Sequence, residues 1–463
     1  MENHQQQGYR AKFNCPGCGS PLETSEGTIS LCCSYCGLNM RIGAPGRILK
    51  YFYESNLDDF ALKFSLEKHL KSNGLDLSFK QQGRQLYYLP FYRFRGMTYA
   101  LLSEKVIEES EEVDSEIPPP IKTKFYQKCR NFDLTIPGFG NNIFGLDSLG
   151  IRPEVIPLTV YTGDNLPSGS ILLDITDSPE QARQNALGLM AFNLGIALES
   201  KECLISEIVG EGLSVIYYPV WAYSVLSRSG ETTYFIDGLS KRVLETQPNT
   251  VKREEQGLDN SKCSLFQPVA HKCPNCGFDL PVSETAIVYY CSNCNRSFLI
   301  KDESYIQIPT KSGVCDPGTS YYPFWKIAIN TSQGQKTVAD FSKILTGEIP
   351  LIAKNKAGNQ FYLYIPAFKF AELDVITNRG LRLCRTQPLI EYSNDRITPA
   401  AEPVLPQEET LELARFYWFV MRSKYRHLLN PSFDFTADGN PEFVWLTLTD
   451  FSPINRGKVA QYA

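Results

Sequence analysis

The stretch Cys273-Pro274-Asn275-Cys276-Gly277, answered by Cys291-Ser292-Asn293-Cys294, has a counterpart near the start of the chain. There Cys15-Pro16-Gly17-Cys18-Gly19 is followed by Cys33-Ser34-Tyr35-Cys36. The step from first to third cysteine is the same in both copies, Cys15 to Cys33 and Cys273 to Cys291. A Cys-x2-Cys pair closes a tight turn that presents two thiolates together. Two such knuckles joined by a hairpin supply four sulfurs in a tetrahedron, the donor set that Zn²⁺ accepts. The expected ligands are Cys15, Cys18, Cys33 and Cys36 at one site and Cys273, Cys276, Cys291 and Cys294 at the other, with two Zn²⁺ per chain. Cys32 stands beside Cys33 as a competing ligand. The register shared with the second copy favours Cys33 and leaves Cys32 as a spare thiol or core filler. His271 is also close in sequence, but four cysteines already satisfy zinc.

Outside the knuckles, the order of features in the first half recurs in the second. Tyr88-Leu89-Pro90-Phe91-Tyr92 is matched by Tyr321-Tyr322-Pro323-Phe324-Trp325, and Ile136-Pro137-Gly138-Phe139 by Ile365-Pro366-Ala367-Phe368. Gly150-Ile151-Arg152 is matched by Gly380-Leu381-Arg382, and Pro219-Val220-Trp221 by Phe443-Val444-Trp445. Features that keep their order in this way predict an internal duplication. The expected fold class is α+β, each half a four-cysteine zinc ribbon plus a β-rich body with one long buried helix. The boundaries read as zinc ribbon 1 at 10–45 and a body at 46–246 that carries an acidic, Pro-rich loop at 103–124. A polar linker at 247–267, zinc ribbon 2 at 268–301 and a second body at 302–463 follow.

Local signals fill in these bodies. Asp58 and Asp59 open a helix expected to bury Leu57, Phe60, Ala61 and Phe64. Ser178-Pro179-Glu180-Gln181 opens a second, with Ser178 placed to cap and proline in the first turn. From Ala186 onward that helix is apolar nearly all round and is expected to be buried. Its counterpart spans about Glu408 to Leu429. Proline is expected to open each aromatic strand, where its missing N–H costs no ladder bond. Tyr217 to Val225 and Thr232 to Ile236 form a hairpin turning at Ser229-Gly230.

Composition sets the outer limits. The chain has 463 residues, 43% hydrophobic and 21% charged, with a net charge of −5 that gives no bulk reason for nucleic-acid binding. Six of the 14 cysteines lie outside the knuckles, unpaired in spacing, as expected in a reducing compartment. The N-terminus is polar and Gln-rich, without an apolar signal core, and no apolar run is long enough to span a bilayer. These features predict a cytoplasmic protein without a transmembrane segment. Nucleotide-phosphate loops, nucleophile elbows and His-Glu-x-x-His are absent from the sequence.

The Cys-Pro-x-Cys-Gly knuckles, joined to Tyr-x-Pro-Val-Trp strands and a following Asp237-Gly238 turn, resemble a group of poorly characterised bacterial tandem zinc-ribbon proteins. Their knuckles are similar to those of the primosomal helicase and of transcription-factor zinc ribbons. The resemblance covers the ribbons and the hairpins near Trp221 and Trp325, under a third of the chain. It implies metal-bound ribbons on a β-rich body; helicase activity does not carry over, because the nucleotide loop is missing.

Three functional readings follow. The leading one is a non-enzymatic zinc-binding scaffold or adaptor that recruits protein partners. The second is a nucleic-acid-binding accessory protein acting through the first ribbon, where Arg10, Lys12, Arg41, Arg47 and Lys50 outnumber Glu23 and Glu26. The third is a rubredoxin-like iron protein, since Cys-x2-Cys-Gly also suits an iron tetrathiolate. The paired Arg152 and Arg382 would either hold an anion between halves or cap backbone carbonyls.

Overall fold

The computed structural model describes residues 10–43, 48–75, 77–107, 121–140, 144–149, 156–193, 201–227, 230–244, 268–301, 304–314, 320–345, 357–368, 373–393, 396–423, 425, 428 and 433–448. The expected linker at 247–267 lies outside these residues, as do Arg47 and Arg152. In chain order come β1 (Arg10–Asn14), β2 (Pro21–Ser25), β3 (Ser30–Cys32), β4 (Asn39–Arg41), β5 (Leu49–Phe52) and helix α1 (Asp59–Ser72). Next are β6 (Phe79–Ile107), β7 (Ile121–Pro137), β8 (Leu158–Val160), β9 (Ile171–Leu172), α2 (Pro179–Asn193), β10 (Lys201–Ser227) and β11 (Gly230–Asp237). Then follow β12 (Val269–Ala270), β13 (Val288–Cys291), β14 (Arg296–Lys301), β15 (Ser304–Ile308), β16 (Lys311–Val314), β17 (Tyr321–Thr331) and α3 (Val338–Ile344). The last are β18 (Tyr362–Pro366), α4 (Leu373–Thr386), β19 (Glu391–Ser393), α5 (Gln407–Arg422), β20 (Phe435–Ala437) and β21 (Glu442–Thr447). The fold is a mixed α+β one in which sheet predominates.

The chain forms two compact units, each discontinuous in sequence. The first comprises Met1–Gly96, Phe132–Leu194 and Glu211–His271; the second comprises Met97–Asn131, Gly195–Gly210 and Lys272–Ala463. The reason lies in strand length. β6, β7 and β10 far exceed the usual five or six residues, and their distal ends count with the second unit. There Tyr99 of β6 packs on Phe416 of α5, with ring centroids 5.6 Å apart. The loop expected at 103–124 is correspondingly shorter. β6 runs on to Ile107 and β7 begins at Ile121, and the acidic residues between them lie outside the described segments.

One sheet has the order β2-β1-β8-β5-β10-β6-β7, with β11 on β10 and β9 on β6. Within it β5 runs parallel to β10. Another has the order β18-β17-β21-β16-β19, with β20 on β17, and there β16 runs parallel to β21. The run β5-β10-β6-β7 therefore has the same order as β16-β21-β17-β18. A hydrogen bond recurs as well: Gly138 N donates to Pro90 O at 2.8 Å and Ala367 N donates to Pro323 O at 3.0 Å. The matched tryptophans differ more. Trp445 lies opposite Pro323 and Ser312 and is buried, whereas Trp221 lies opposite Ile236 of the β10–β11 hairpin and is half-buried.

The aromatic strands fill cores. Tyr88, Leu89, Phe91, Tyr92, Phe94, Phe324 and Trp325 are all buried. Proline does not open the first of these strands: Pro90 lies well inside β6, and Pro323 is the third residue of β17. Each loses one ladder donor but keeps its carbonyl in use through the recurring bond described above.

Helix faces also depart from expectation. Asp58 caps α1, its Oδ1 accepting from Ala61 N at 2.8 Å. The buried face, however, is Leu62, Ser65, Leu66 and Leu70, packed on Tyr223, Val225 and Ile236. Phe60 and Phe64 sit on the opposite stripe, 78% and 59% exposed, with their rings stacked 6.5 Å apart. Two apolar stripes competed for one sheet, and the i, i+4, i+8 leucines won it. In α2 the Ser178 cap forms, with Gln181 N donating to Oγ at 3.1 Å. Among its described side chains Ala182 and Ala186 are buried and Leu189 is exposed; the rest of the stretch expected to be buried, from Met190 on, lies outside the described side chains. By contrast α5 is deeply buried, with Leu413, Phe416, Tyr417, Trp418, Val420 and Met421 covered. It ends at Arg422 rather than near Leu429. Gly380 lies inside α4, and a Cβ there would come within 2.6 Å of the Tyr417 ring.

Candidate metal centres

The first centre is built from two knuckles on consecutive hairpins. Cys15 follows β1, and Cys33 follows β3. In each knuckle the backbone folds back on itself: Gly19 N donates to Cys15 O and Gly37 N to Cys33 O, both at 2.8 Å. Closing the turn demands a left-handed residue, and Gly19 and Gly37 adopt φ of 74° and 73°. The second centre repeats this with Gly277 at φ 72°. Its last knuckle uses Asn295 at φ 54°, whose N–H donates to Cys291 O at 2.8 Å. Asn is one of the few other residues that tolerates this region, and its Oδ1 accepts from Tyr290 Oη at 2.8 Å. A Gly, Gly, Gly, Asn series after each knuckle's second cysteine was therefore readable in the sequence.

These turns bring all eight expected ligands into two groups, Cys15, Cys18, Cys33, Cys36 and Cys273, Cys276, Cys291, Cys294. Within each group the sulfurs lie within 4.8 Å of one another. Cys15–Cys36 and Cys18–Cys33 are 3.7 and 3.8 Å apart, and Cys273–Cys294 and Cys276–Cys291 are both 3.7 Å apart. A tetrahedron with metal–sulfur bonds of about 2.3 Å has edges of roughly 3.8 Å, so both cages have the size a metal tetrathiolate needs. Cys33 is in the group and buried, whereas Cys32 is exposed and outside it. His271 is outside too. It is buried, and its N–H donates to Asn39 O at 2.9 Å, extending the sheet β12-β4-β3.

Neighbouring dipoles favour thiolate at Cys18, Cys33 and Cys276, whereas Cys36, Cys273 and Cys291 are raised. A hydrogen bond with the Ser20 side chain draws Cys18 down to about 6, and the Asn293 side chain does the same for Cys276. Asn293 Nδ2 donates to Cys276 Sγ at 3.5 Å. The Cys36 N–H lowers Cys33. Burial pushes Cys273 up to about 12. At Cys36 the Leu38 N–H pulls downward, but the other sulfurs outweigh it and the thiol rises to about 12. Four sulfurs this close carry full negative charge only around a cation, so the donor chemistry fits a bound metal ion.

Each cage is fastened differently. Glu26, in the turn between β2 and β3, is buried, and its carboxylate receives Arg93 Nη1 at 2.6 Å and Arg95 Nη1 at 3.1 Å. Arg95 also donates to Glu26 O at 2.6 Å, and Arg93 Nε donates to Asp133 at 2.8 Å. Burial opposes ionisation of Glu26, but Arg95 and Arg93 prevail and hold its carboxyl below the usual range. Gly27 and Gly212 leave room for this pair, since a Cβ at either would strike the Arg95 guanidinium. The second cage is fastened by apolar packing: Ile287, Val288, Tyr290 and Leu299 belong to the core that holds Trp325, Trp418 and Trp445.

The basic set around the first ribbon is smaller than the sequence implies. Arg41 is only 7% exposed, so it is turned away from solvent. Arg382 lies on α4 and is exposed. Among the described residues no helix is long and apolar enough to cross a membrane. Compared with known proteins, the chain matches no family model, and neither a curated protein nor a solved structure matches it.

Proposed function

We propose that this chain is a non-enzymatic, zinc-binding adaptor whose two ribbons stiffen a duplicated α+β scaffold for recruiting protein partners. The observation that carries the reading is the stacked, solvent-exposed pair Phe60 and Phe64, on a helix whose other face is already packed. Exposed aromatic surface of this kind is characteristic of recognition faces, because it desolvates at little cost in side-chain entropy. Tyr35 and Phe278 add exposed rings at the knuckles, 66% and 52% accessible. The buried Tyr-x-Pro strands are scaffold in this reading. Four protein thiolates fill zinc's four positions, which suits a structural ion rather than a catalytic one.

Support for the duplication comes from the shared strand order and from the paired Pro90–Gly138 and Pro323–Ala367 hydrogen bonds. Zinc, in a reducing cytoplasmic compartment, is the metal proposed for both cages. The purified chain should be colourless and carry two zinc ions; a red tetrathiolate spectrum would select iron instead.

The experiment is affinity capture from native lysate with the full chain, in parallel with a Phe60→Ser/Phe64→Ser variant. The expected result is a protein partner that is lost with the double substitution while metal content and thermal midpoint stay unchanged. Submicromolar nucleic-acid binding at physiological salt, abolished by charge reversal at Lys12 and Lys50, would replace this reading with the nucleic-acid one.

A further inference from the structure

A cavity of about 260 Å³ in the second unit is independent of both cages and of the adaptor surface. Its ionic group is Lys326 of β17, whose side chain is 11% exposed. Nζ donates to Tyr392 Oη at 2.9 Å and lies 4.0 Å from the Tyr362 ring centroid and 5.2 Å from that of Tyr392. The nearest carboxylate, Glu442, is 3.8 Å away and is already in contact with Lys311. Asp438 acts on the neighbouring Tyr362 phenol. Two ammonium groups thus share one carboxylate, and the more buried of them is the one farther from it. Burial weakens the hold of Lys326 on its proton, and Lys311 adds to this against Glu442. Beyond the Tyr392 hydroxyl and a carboxylate shared with Lys311, the Lys326 ammonium keeps donor capacity for an added anion.

The walls are built rather than collapsed. Gln387, 5% exposed and in the left-handed region at φ 43°, donates to Tyr362 O and Cys384 O at 2.7 Å. It also accepts from Tyr362 N at 3.0 Å. A strained, buried glutamine clamped by three backbone groups fixes the loop that carries Pro388, Leu389 and Ile390 along the cavity. These three residues give an apolar side to the cavity that Lys326 also lines. We propose that the cavity binds a small carboxylate with a flat apolar body, its carboxylate pairing with Lys326 and its body lying along Pro388, Leu389 and Ile390. The cavity is smaller than those that enclose drug-sized ligands, which restricts the class to single-ring or comparably short acids.

The test is equilibrium dialysis of the full chain against benzoate, with benzamide as the neutral isostere and acetate as the carboxylate without a body. Expected are saturable benzoate binding in the millimolar range or tighter and roughly tenfold weaker binding of both benzamide and acetate. Lys326→Met should abolish benzoate binding, and Lys326→Arg should restore part of it. Leu389 is half exposed, so Leu389→Glu should leave the fold intact and weaken benzoate about tenfold by charge repulsion. That variant decides the matter if Lys326→Met fails to fold. No saturable benzoate binding, equal binding of benzamide, or binding indifferent to Leu389→Glu would overturn the proposal.

Discussion

The two cages are nearly identical inside and unlike outside. In both, two opposite sulfur–sulfur edges are 3.7 to 3.8 Å long, and the backbone turns are the same. Around the first, the buried apolar residues form a small satellite of Cys15, Leu22, Cys33, Met40 and Ile42, and the tie to its body includes Glu26 with Arg93 and Arg95. Around the second, β13 is buried at every position and merges with the main core of its unit. A four-cysteine cage therefore sets its own geometry, while the way it is mounted decides how far its loss is felt.

The largest effect should come from removing ligands. Structural zinc contributes on the order of 10–16 kcal/mol of apparent binding energy in ribbon-type peptides. Cys276→Ser should release one metal ion and expose backbone amides well beyond the knuckles, reaching β13, β14 and the strands that pack with them. Cys18→Ser should release one ion too, but with exchange confined mostly to the satellite around Met40. Hydrogen exchange on both variants measures this, and equal spread would break the contrast.

The attachments come next. Leu299→Ala removes apolar packing from the second mounting and should cost about 2–5 kcal/mol in a urea titration. Glu26→Ala strands two arginines at the first mounting and should cost about 3–5 kcal/mol. The pH signature separates the two. Because the folded Glu26 carboxyl is held below its usual range, its contribution is present above the unfolded pKa near 4.3 and lost as pH falls through the folded value. Glu26→Gln should therefore flatten the acid limb of thermal stability, whereas Leu299→Ala should leave its slope unchanged.

The smallest effect concerns the fourth knuckle. Asn295→Val places a branched side chain at positive φ and should cost about 1–2 kcal/mol. Asn295→Gly relieves the backbone but gives up the Tyr290 hydrogen bond, and should stay within about 1 kcal/mol of the parent. A larger change for glycine would mean that the side-chain bond, rather than backbone conformation, holds that turn.

What the sequence determined by itself is what short spacing dictates. Two thiols separated by two residues meet in one turn whatever surrounds them, so the eight cysteines that gather into two groups were legible, and the register between copies placed Cys33 rather than Cys32 in its group. The Ser178 cap was legible for the same reason, because it acts on an N–H three residues away; Asp58, read as first-turn, proved to be the cap of α1. Tertiary structure decided everything that needs a partner distant in sequence. Phe60 and Phe64 carry as apolar a signal as Leu62 and Leu66, and only the sheet beneath α1 chose between them. Arg41 counts as surface charge in a sequence, yet its strand turns it inward. Glu26 looks like one more exposed acid until Arg93 and Arg95, nearly seventy residues on, close over it. Local geometry needs only neighbours along the chain; burial is a competition among all faces for one interior, and its outcome is written nowhere in a single stretch.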